Sequence, residues 1–452
     1  MKFLHIADIH LGCRRYNLEE RTKDFARAWM DAVERYAIPN RVDFVLICGD
    51  FFDRRNVDPQ AMNHAMVGLK ALKEAGIPVV AIEGNHDQRD TLTEFSWMRS
   101  LSQWEYLVLL EHSAADGRFH LTPWDEGDRT GSYIDIAGAR IFGSHWYGAS
   151  ANSAIPLLAD AMRSAREEGR FNILMLHTDV EGQIKRPIPA LTIAKLNELK
   201  SLTNYVALGH THKRFDIDNW AFNPGSLEPT AIDEYREERG LYLVEVDDEH
   251  NIRAEHIKDY TQRPFQRISF DVSGSVDPEA VYDGLMEVVE REARKHREDA
   301  DEPAPIIEVT LRGQLGFKNS LLEVRRMREE IEERTNALHV MMRNQSVPVE
   351  YAVAAGLDAQ APRQERERRI IEDLISRDAR FRDRAHEMAE LVIEAKRLVL
   401  SQALPDEIFK LLEQKLDGAV SEEQKPEPEQ LQTAAGLSAI ERNALTAVTS
   451  DK

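Results

Sequence analysis

Five short apolar runs, each closed by residues of metal-ligand type, constrain this chain more than any other feature. The runs are Lys2–Ile6, Asp43–Ile47, Pro78–Ile82, Phe171–Leu176 and Tyr205–Leu208. Rich in β-branched residues and bounded by Gly, Asn or Asp, they have the pattern of buried central strands. They are closed in turn by Asp8-Ile9-His10, by Gly49-Asp50-Phe51-Phe52-Asp53, by Gly84-Asn85-His86-Asp87, by His177 and by Gly209-His210-Thr211-His212. Sites in α/β sheets assemble beyond the carboxyl ends of the strands. Five strand ends therefore deliver Asp, His and Asn side chains to one edge of a domain.

Carboxylate, imidazole and amide ligands suit borderline-hard divalent ions such as manganese. A carboxylate can bridge two ions, typically ~3.5–4 Å apart in two-metal sites, which together activate a water and clamp phosphate oxygens. A lone Asp-x-His or Gly-Asn-His is commonplace, and His177 alone reads as a satisfied histidine at a strand end. All five in this order, each after an apolar run, point to a metal site.

Residues 1–258 alternate such runs with amphipathic helical stretches, and further strands are expected at Ser132–Ile136, Arg140–Gly143 and Gly240–Val246. This predicts a large α/β domain with sheets at its centre. The pattern changes at Pro264. Over residues 262–345 a compact second α/β domain is expected, with strands Phe265–Val272, Pro305–Leu311 and Ala337–Met342 and helices Pro278–Arg297 and Leu321–Thr335. Residues 346–362 hold Pro348, Gly356 and Pro362 and read as a linker. Within 363–416, Gln364–Leu400 reads as one long helix with a 3,4 apolar spacing broken at Asp378, and Pro405 opens another. Residues 417–452, polar and Pro-containing, have the composition of a disordered tail.

Two cysteines, Cys13 and Cys48, in 452 residues give no disulfide framework, and together with the absence of a signal-peptide pattern they lead to a cytoplasmic expectation. No window is apolar enough to span a membrane. The formal net charge of −21 opposes a generally basic nucleic-acid surface, so any DNA contact has to be local.

The order of motifs resembles the calcineurin-like metallophosphoesterases, and within them the nuclease subunits of SbcCD-type DNA repair complexes. The resemblance runs at motif level from residue 1 to about 246 and includes Asn223-Pro224-Gly225-Ser226-Leu227-Glu228 after the last histidine motif. It implies a metallophosphoesterase sandwich of two central β-sheets flanked by helices, a small α/β capping domain that binds DNA, and C-terminal helices. It also implies a two-metal (Mn2+) DNA exonuclease or endonuclease, a homodimer, and an SbcC-like coiled-coil ATPase gripped by those helices. Asp8, His10, Asp50 and His212 would hold one ion. Asp50, Asn85, His177 and His210 would hold the other, with Asp50 bridging. His86 would act as general acid, and Asp53, where relatives outside bacteria carry histidine, could orient it by a hydrogen bond.

Basic residues flank the motifs: Arg14, Arg15, Arg54, Arg55, Arg89, Lys185, Arg186, Lys213 and Arg214. They read either as DNA-backbone contacts or as surface charges paired with the abundant acids. Cys13 and Cys48 read as small buried fillers. His5, His64, His112 and His120 read as structural or surface residues. His145 reads as part of a loop near the site or of an exposed turn. Trp97, Leu101 and Trp104 form a helical stripe, either core or dimer interface. Two rival functions share these features: a phosphodiesterase or phosphatase acting on a small nucleotide, lipid precursor or protein, and an interaction subunit with a vestigial metal site.

Overall fold

A computed structural model of the chain describes residues 1–90, 95–167, 169–183, 189–295, 303–347, 363–376, 381–401 and 404–416. The expected linker from residue 348 onward and the expected tail 417–452 lie outside the described residues. The chain divides into two compact units. The first comprises Met1–Asp271, Val281–Arg312 and Glu323–Gln345. The second comprises Val272–Ala280, Gly313–Leu322 and Ser346–Lys452.

The first unit is built on two six-stranded sheets. One runs in the order Ile252–Ile257, Leu241–Val246, Lys2–Ile6, Phe44–Cys48, Val79–Ile82, Val108–Leu109. The other runs Phe215–Ile217, Ala221–Asn223, Tyr205–Gly209, Phe171–His177, Ala139–Gly143, Tyr133–Ile136. The central strands of each are parallel to one another. Their alternation explains the continuous apolar runs. Phe3, Phe44, Leu46, Val80, Ile173, Met175 and Tyr205 turn inward to a core between the sheets. There Phe3 stacks on Phe44 at 4.9 Å and meets the edge of Tyr205 at 5.2 Å. Leu4, Val45, Ile47 and Ala81 turn outward to a second core with Trp29, Leu69 and Leu101, which the flanking helices supply. Leu174, Leu176, Val206 and Leu208 do the same against Ile155, Leu158 and Met162 of helix Ala151–Ala165. Every central strand is buried on both faces, which is the condition for unbroken apolar runs in a parallel sheet. The expected α/β sandwich of two central sheets flanked by helices is the observed fold.

Local signals set the helix starts. The Asp58 carboxylate accepts from the Gln60 and Ala61 amides, both at 2.9 Å, with Pro59 opening helix Pro59–Glu74. Ser96 accepts from Arg99 N at 3.0 Å to start Trp97–Gln103.

The first unit also contains a three-stranded parallel sheet, Phe265–Asp271, Ile306–Arg312 and His339–Asn344, with helices Pro278–Lys295 and Val324–Thr335 in its connections. The latter helix begins at Val324 rather than Leu321. Asn319–Leu321 is a separate tight turn, and Leu322 is extended (φ −76°, ψ 114°) and buried. In the second unit the single long helix expected over Gln364–Leu400 is instead two, Arg363–Ser376 and Ala385–Leu400. Ion pairs Arg368–Glu390, His386–Glu372 and Lys396–Glu367 set them antiparallel. The heptad-like spacing is real, but part of it is spent inside the hairpin, where Ala385, Met388, Ala389 and Leu391 are buried. Helix Pro405–Leu416 follows.

Candidate metal centre

The five motifs meet at one edge of the two sheets. The first two loops zip together beyond their strands, with His10 N to Asp50 O and Leu11 N to Phe51 O each at 2.9 Å and Asp53 N to Leu11 O at 3.0 Å. The third is locked on by Asp87, whose carboxylate accepts from Phe51 N and Gly84 N, both at 2.7 Å. Burial, with Asp50 and Glu83 nearby, pushes the Asp87 carboxyl up to about 7. The fifth is braced by Asn223, whose amide donates to Thr211 O and Lys213 O at 2.6 and 2.8 Å. Two glycines are there for close approach. A side chain on Gly49 would run into the His177 ring, and one on Gly84 into Asp50. Asp8, His10, Asp50 and His210 all have positive φ, from 50° to 89°. A non-glycine residue in that region is strained, and four such residues clustered at one spot mark a functional site.

Three overlapping groups of ligand-type side chains result: Asp8, His10 and His212; Asp50, His177 and His210; and His10, Asp50 and His86. In each, the ligand atoms lie within 4.8 Å of one another. Asp50 belongs to two of them. Its Oδ2 is 3.3 Å from His177 Nε2 and 3.9 Å from His10 Nε2. Asn85 Oδ1 lies 3.1 Å from His177 Nε2, and His210 Nδ1 lies 3.2 Å from the same atom. His10 Nε2 and His212 Nε2 are 3.1 Å apart.

The ring orientations suit a cation. His177 Nδ1–H donates to Cys48 O at 2.8 Å, so Nε2 is the ring atom turned toward Asp50, Asn85 and His210, where a cation would take the place of its proton. His212 Nδ1–H donates to Glu234 Oε1 at 2.8 Å, which turns its Nε2 lone pair toward His10. Acceptors that converge in a buried place fit divalent cations. Two further carboxylates stand behind the ligand types: Glu234, and Asp179, which lies 3.4 Å from His210 Nε2 and accepts from Thr211 Oγ1 at 2.7 Å. The charge pattern agrees. Although burial opposes ionisation, the His177 and His10 rings hold the Asp50 carboxyl far below its ordinary value. Burial likewise opposes charge on His177, yet Asp50 and Asp8 raise it to about 9. The field favours positive charge at this spot.

His86 is tethered rather than free. Its amide donates to Asp50 Oδ1 at 2.8 Å and its Nδ1–H to Asp53 at 2.7 Å. The Asp53 atom that accepts is the main-chain carbonyl, not the carboxylate. The carboxylate lies 3.5 Å from His10 Nδ1 and 3.5 Å from Arg54 Nε. The expected Asp53–His86 hydrogen bond therefore exists, but through the backbone.

Arg14, Arg15, Arg54, Arg55 and Arg89 are exposed. Lys213 and Arg214 instead pair with Glu237 at 3.6 Å and Asp216 at 2.6 Å. Lys185 and Arg186 lie outside the described residues. Cys13 and Cys48 are buried and free. His5 is sealed between the sheets, with Tyr205 Oη and Leu208 O at 2.9 and 3.0 Å. His145 donates to His112 O at 2.6 Å, and its neighbour Trp146 sits 6.4 Å from the His210 ring, so that loop borders the site. The Trp97 stripe is split: Leu101 is core, while Trp97 and Trp104 are exposed. Asp179 and Glu234 were not legible in the sequence. Asp179 follows His177 by two residues, but nothing marks Glu234 among the acids of Asp233–Glu238.

Residues 1–214 match the calcineurin-like phosphoesterase family. Among curated proteins the chain is similar to the DNA double-strand break repair protein Mre11 of Aeropyrum pernix, 29% identical over 307 residues (66% of this chain, 70% of that one). It is also similar to the protein of that name from Sulfurisphaera tokodaii, 28% identical over 330 residues (71% and 76%). Among solved structures, the calcineurin-like phosphoesterase YfkN from Bacillus subtilis aligns with a TM-score of 0.35 at 13% identity, covering 66% of this chain and 99% of that one. The ligand-type residues of the five motifs thus gather on one sheet edge within residues 1–214, the stretch that matches the calcineurin-like phosphoesterase family.

Proposed function

We propose that this protein is a metal-dependent phosphodiesterase that hydrolyses DNA, the nuclease subunit of an SbcCD-like repair complex. The observation that carries the reading is the convergence around Asp50 of ligand-type side chains from five strand ends. Asp8, His10, Asp50 and His212 hold one divalent ion, and Asp50, Asn85, His177 and His210 hold the other. Manganese fits the mixed oxygen and nitrogen set. When bound, such ions supply an activated water and neutralise phosphate charge.

The chain's own residues do the rest. His86, its Nδ1 anchored on Asp53 O, presents Nε2 as the proton donor to the leaving oxygen. Asp53 steadies His10. The exposed Arg14, Arg15, Arg54, Arg55 and Arg89 give an acidic protein its local hold on the phosphate backbone. The similarity to the Mre11 repair proteins supports DNA as the substrate. The exposed Trp97 and Trp104 support a homodimer. Exposed Ile370, Leu374, Val392, Val399 and Phe409 on the C-terminal helices support docking of an SbcC-like coiled-coil ATPase. Two buried free cysteines fit a cytoplasmic setting. Among the described residues no helix is long and apolar enough to cross a membrane.

Linear and hairpin DNA and a small nitrophenyl diester should be offered to the protein in manganese, with and without the co-purified ATPase. DNA cleavage that a chelator abolishes is the expected result. Hydrolysis of the small diester with no cleavage of either DNA contradicts it.

A further inference from the structure

Glu234 belongs to none of the five motifs, yet it ties a histidine of the metal edge to the loop and turn behind it. It ends the short turn Ile232–Glu234. Both its carboxylate oxygens are engaged. Oε1 accepts from His212 Nδ1 at 2.8 Å and Thr230 Oγ1 at 2.7 Å, and Oε2 from Thr230 N at 2.9 Å and Arg239 Nη1 at 3.3 Å. Arg239 is itself buried and donates to Ser226 Oγ at 2.9 Å, within the Asn223–Glu228 loop. The turn is pinned from the other side, where Ile232 N donates to Tyr16 Oη at 2.8 Å. A carboxylate held by four donors has little freedom, and the ring that donates to it has little more.

We infer that Glu234 is a positioning residue for one ion of the pair: it fixes the tautomer and tilt of His212, so that the Nε2 lone pair of that ring is presented beside His10. This rests on the two-ion reading above. The two halves of the centre differ in a way that makes the inference testable. His177 takes its tautomer from a main-chain carbonyl, Cys48 O, which no side-chain substitution removes. His212 takes its tautomer from a side chain that can be changed. The Asn223–Glu228 loop also gains a purpose, because through Ser226 and Arg239 it holds the carboxylate that holds the ligand. A hydrogen-bonded carboxylate behind a ligating histidine typically carries ~10–100-fold in metal affinity.

The test is a manganese titration of the chelated full-length protein by calorimetry, for the wild type, Glu234→Gln and Glu234→Ala. The expected result is two ions in the wild type and, in both variants, one ion bound as before and one weakened by ~10–100-fold. Chelated Glu234→Gln, which keeps the side chain's shape, should melt only slightly below the wild type and stay folded throughout the titration, a readout that separates positioning from general damage, while Glu234→Ala, which strands the buried Arg239, should melt lower. The glutamine variant keeps the shape of the turn if the alanine variant misfolds. Variants that bind both ions as tightly as the wild type overturn the assignment. So does equal weakening of both ions together with a lowered melting temperature. A wild type that binds fewer than two ions overturns the two-ion reading itself, and the assignment with it.

Discussion

Asp50 and His86 sit one hydrogen bond apart, and the proposed function gives them opposite work, which single substitutions separate. His86→Ala should keep its ions and cleave DNA about 10²–10⁴-fold more slowly, the usual worth of a general acid. The defect should shrink on a nitrophenyl diester, whose leaving group needs no proton. Metal analysis beside the kinetics checks this. A His86→Ala protein that has lost an ion makes His86 a ligand, a role open to it because it lies in a ligand group with His10 and Asp50. At this scale the sequence was informative where chemistry-bearing residue types stood at strand ends, as with Asp8, His10 and His177. It was silent on Glu234 and Asp179, whose importance lies in which ring they touch, a tertiary contact without local signature. It pointed to the Asp53–His86 hydrogen bond but not to the atom that makes it, because a bond to a main-chain carbonyl leaves no trace in residue identity.

The elements behind the centre carry their own tests. Arg54→Ala with Arg55→Ala removes two exposed charges from the second motif's loop. DNA binding should weaken, with the salt slope falling by about 0.9 for each phosphate no longer neutralised, while ion content is unchanged. An unchanged slope would return both to the solvated surface. Between the sheets, burial pushes the neutral His5 ring down to about 3. The folded-state value lies below the unfolded 6.5, so this contribution to stability is complete above pH 6.5 and is lost as pH falls. The loss should be roughly 2–3 kcal/mol between pH 6.5 and 4.5, and urea melts of His5→Gln should show a correspondingly shallower pH dependence. A buried network of Arg21, Asp24, Glu228 and Arg263 joins helix Glu19–Asp31 to the segment entering strand Phe265–Asp271. Arg263→Ala should cost about 3–5 kcal/mol in denaturant unfolding, since it strips a charge partner from a carboxylate sealed off from water. Strands buried on both faces were easy to read, as Phe44–Cys48 shows. Ile252–Ile257 was missed because it alternates polar and apolar at a sheet edge, and the helical hairpin was read as one helix because periodicity says nothing of a turn.

In the whole molecule, the proposed function assigns catalysis and assembly to different parts of the chain. Deleting 364–452 should leave a protein that keeps its ions and its manganese-dependent cleavage but no longer co-purifies with a coiled-coil ATPase. Loss of solubility and of ions together would mean that the helices are needed to hold the catalytic domain. The change of pattern past Pro264 was read as a second α/β domain over residues 262–345, and the apolar spacing after Gln364 as a helical segment. In the structure, tertiary packing groups Val281–Arg312 and Glu323–Gln345 with the first unit, a grouping that composition and local pattern do not encode. Everything else depends on Asp50 being shared by two ions that the reaction requires. Ion content per chain, measured on the wild type and on Asp50→Ala after equilibration with manganese, tests this most directly. The expected result is two ions in the wild type, and in Asp50→Ala the loss of both together with DNA cleavage. An Asp50→Ala protein that still carries two ions per chain would contradict it.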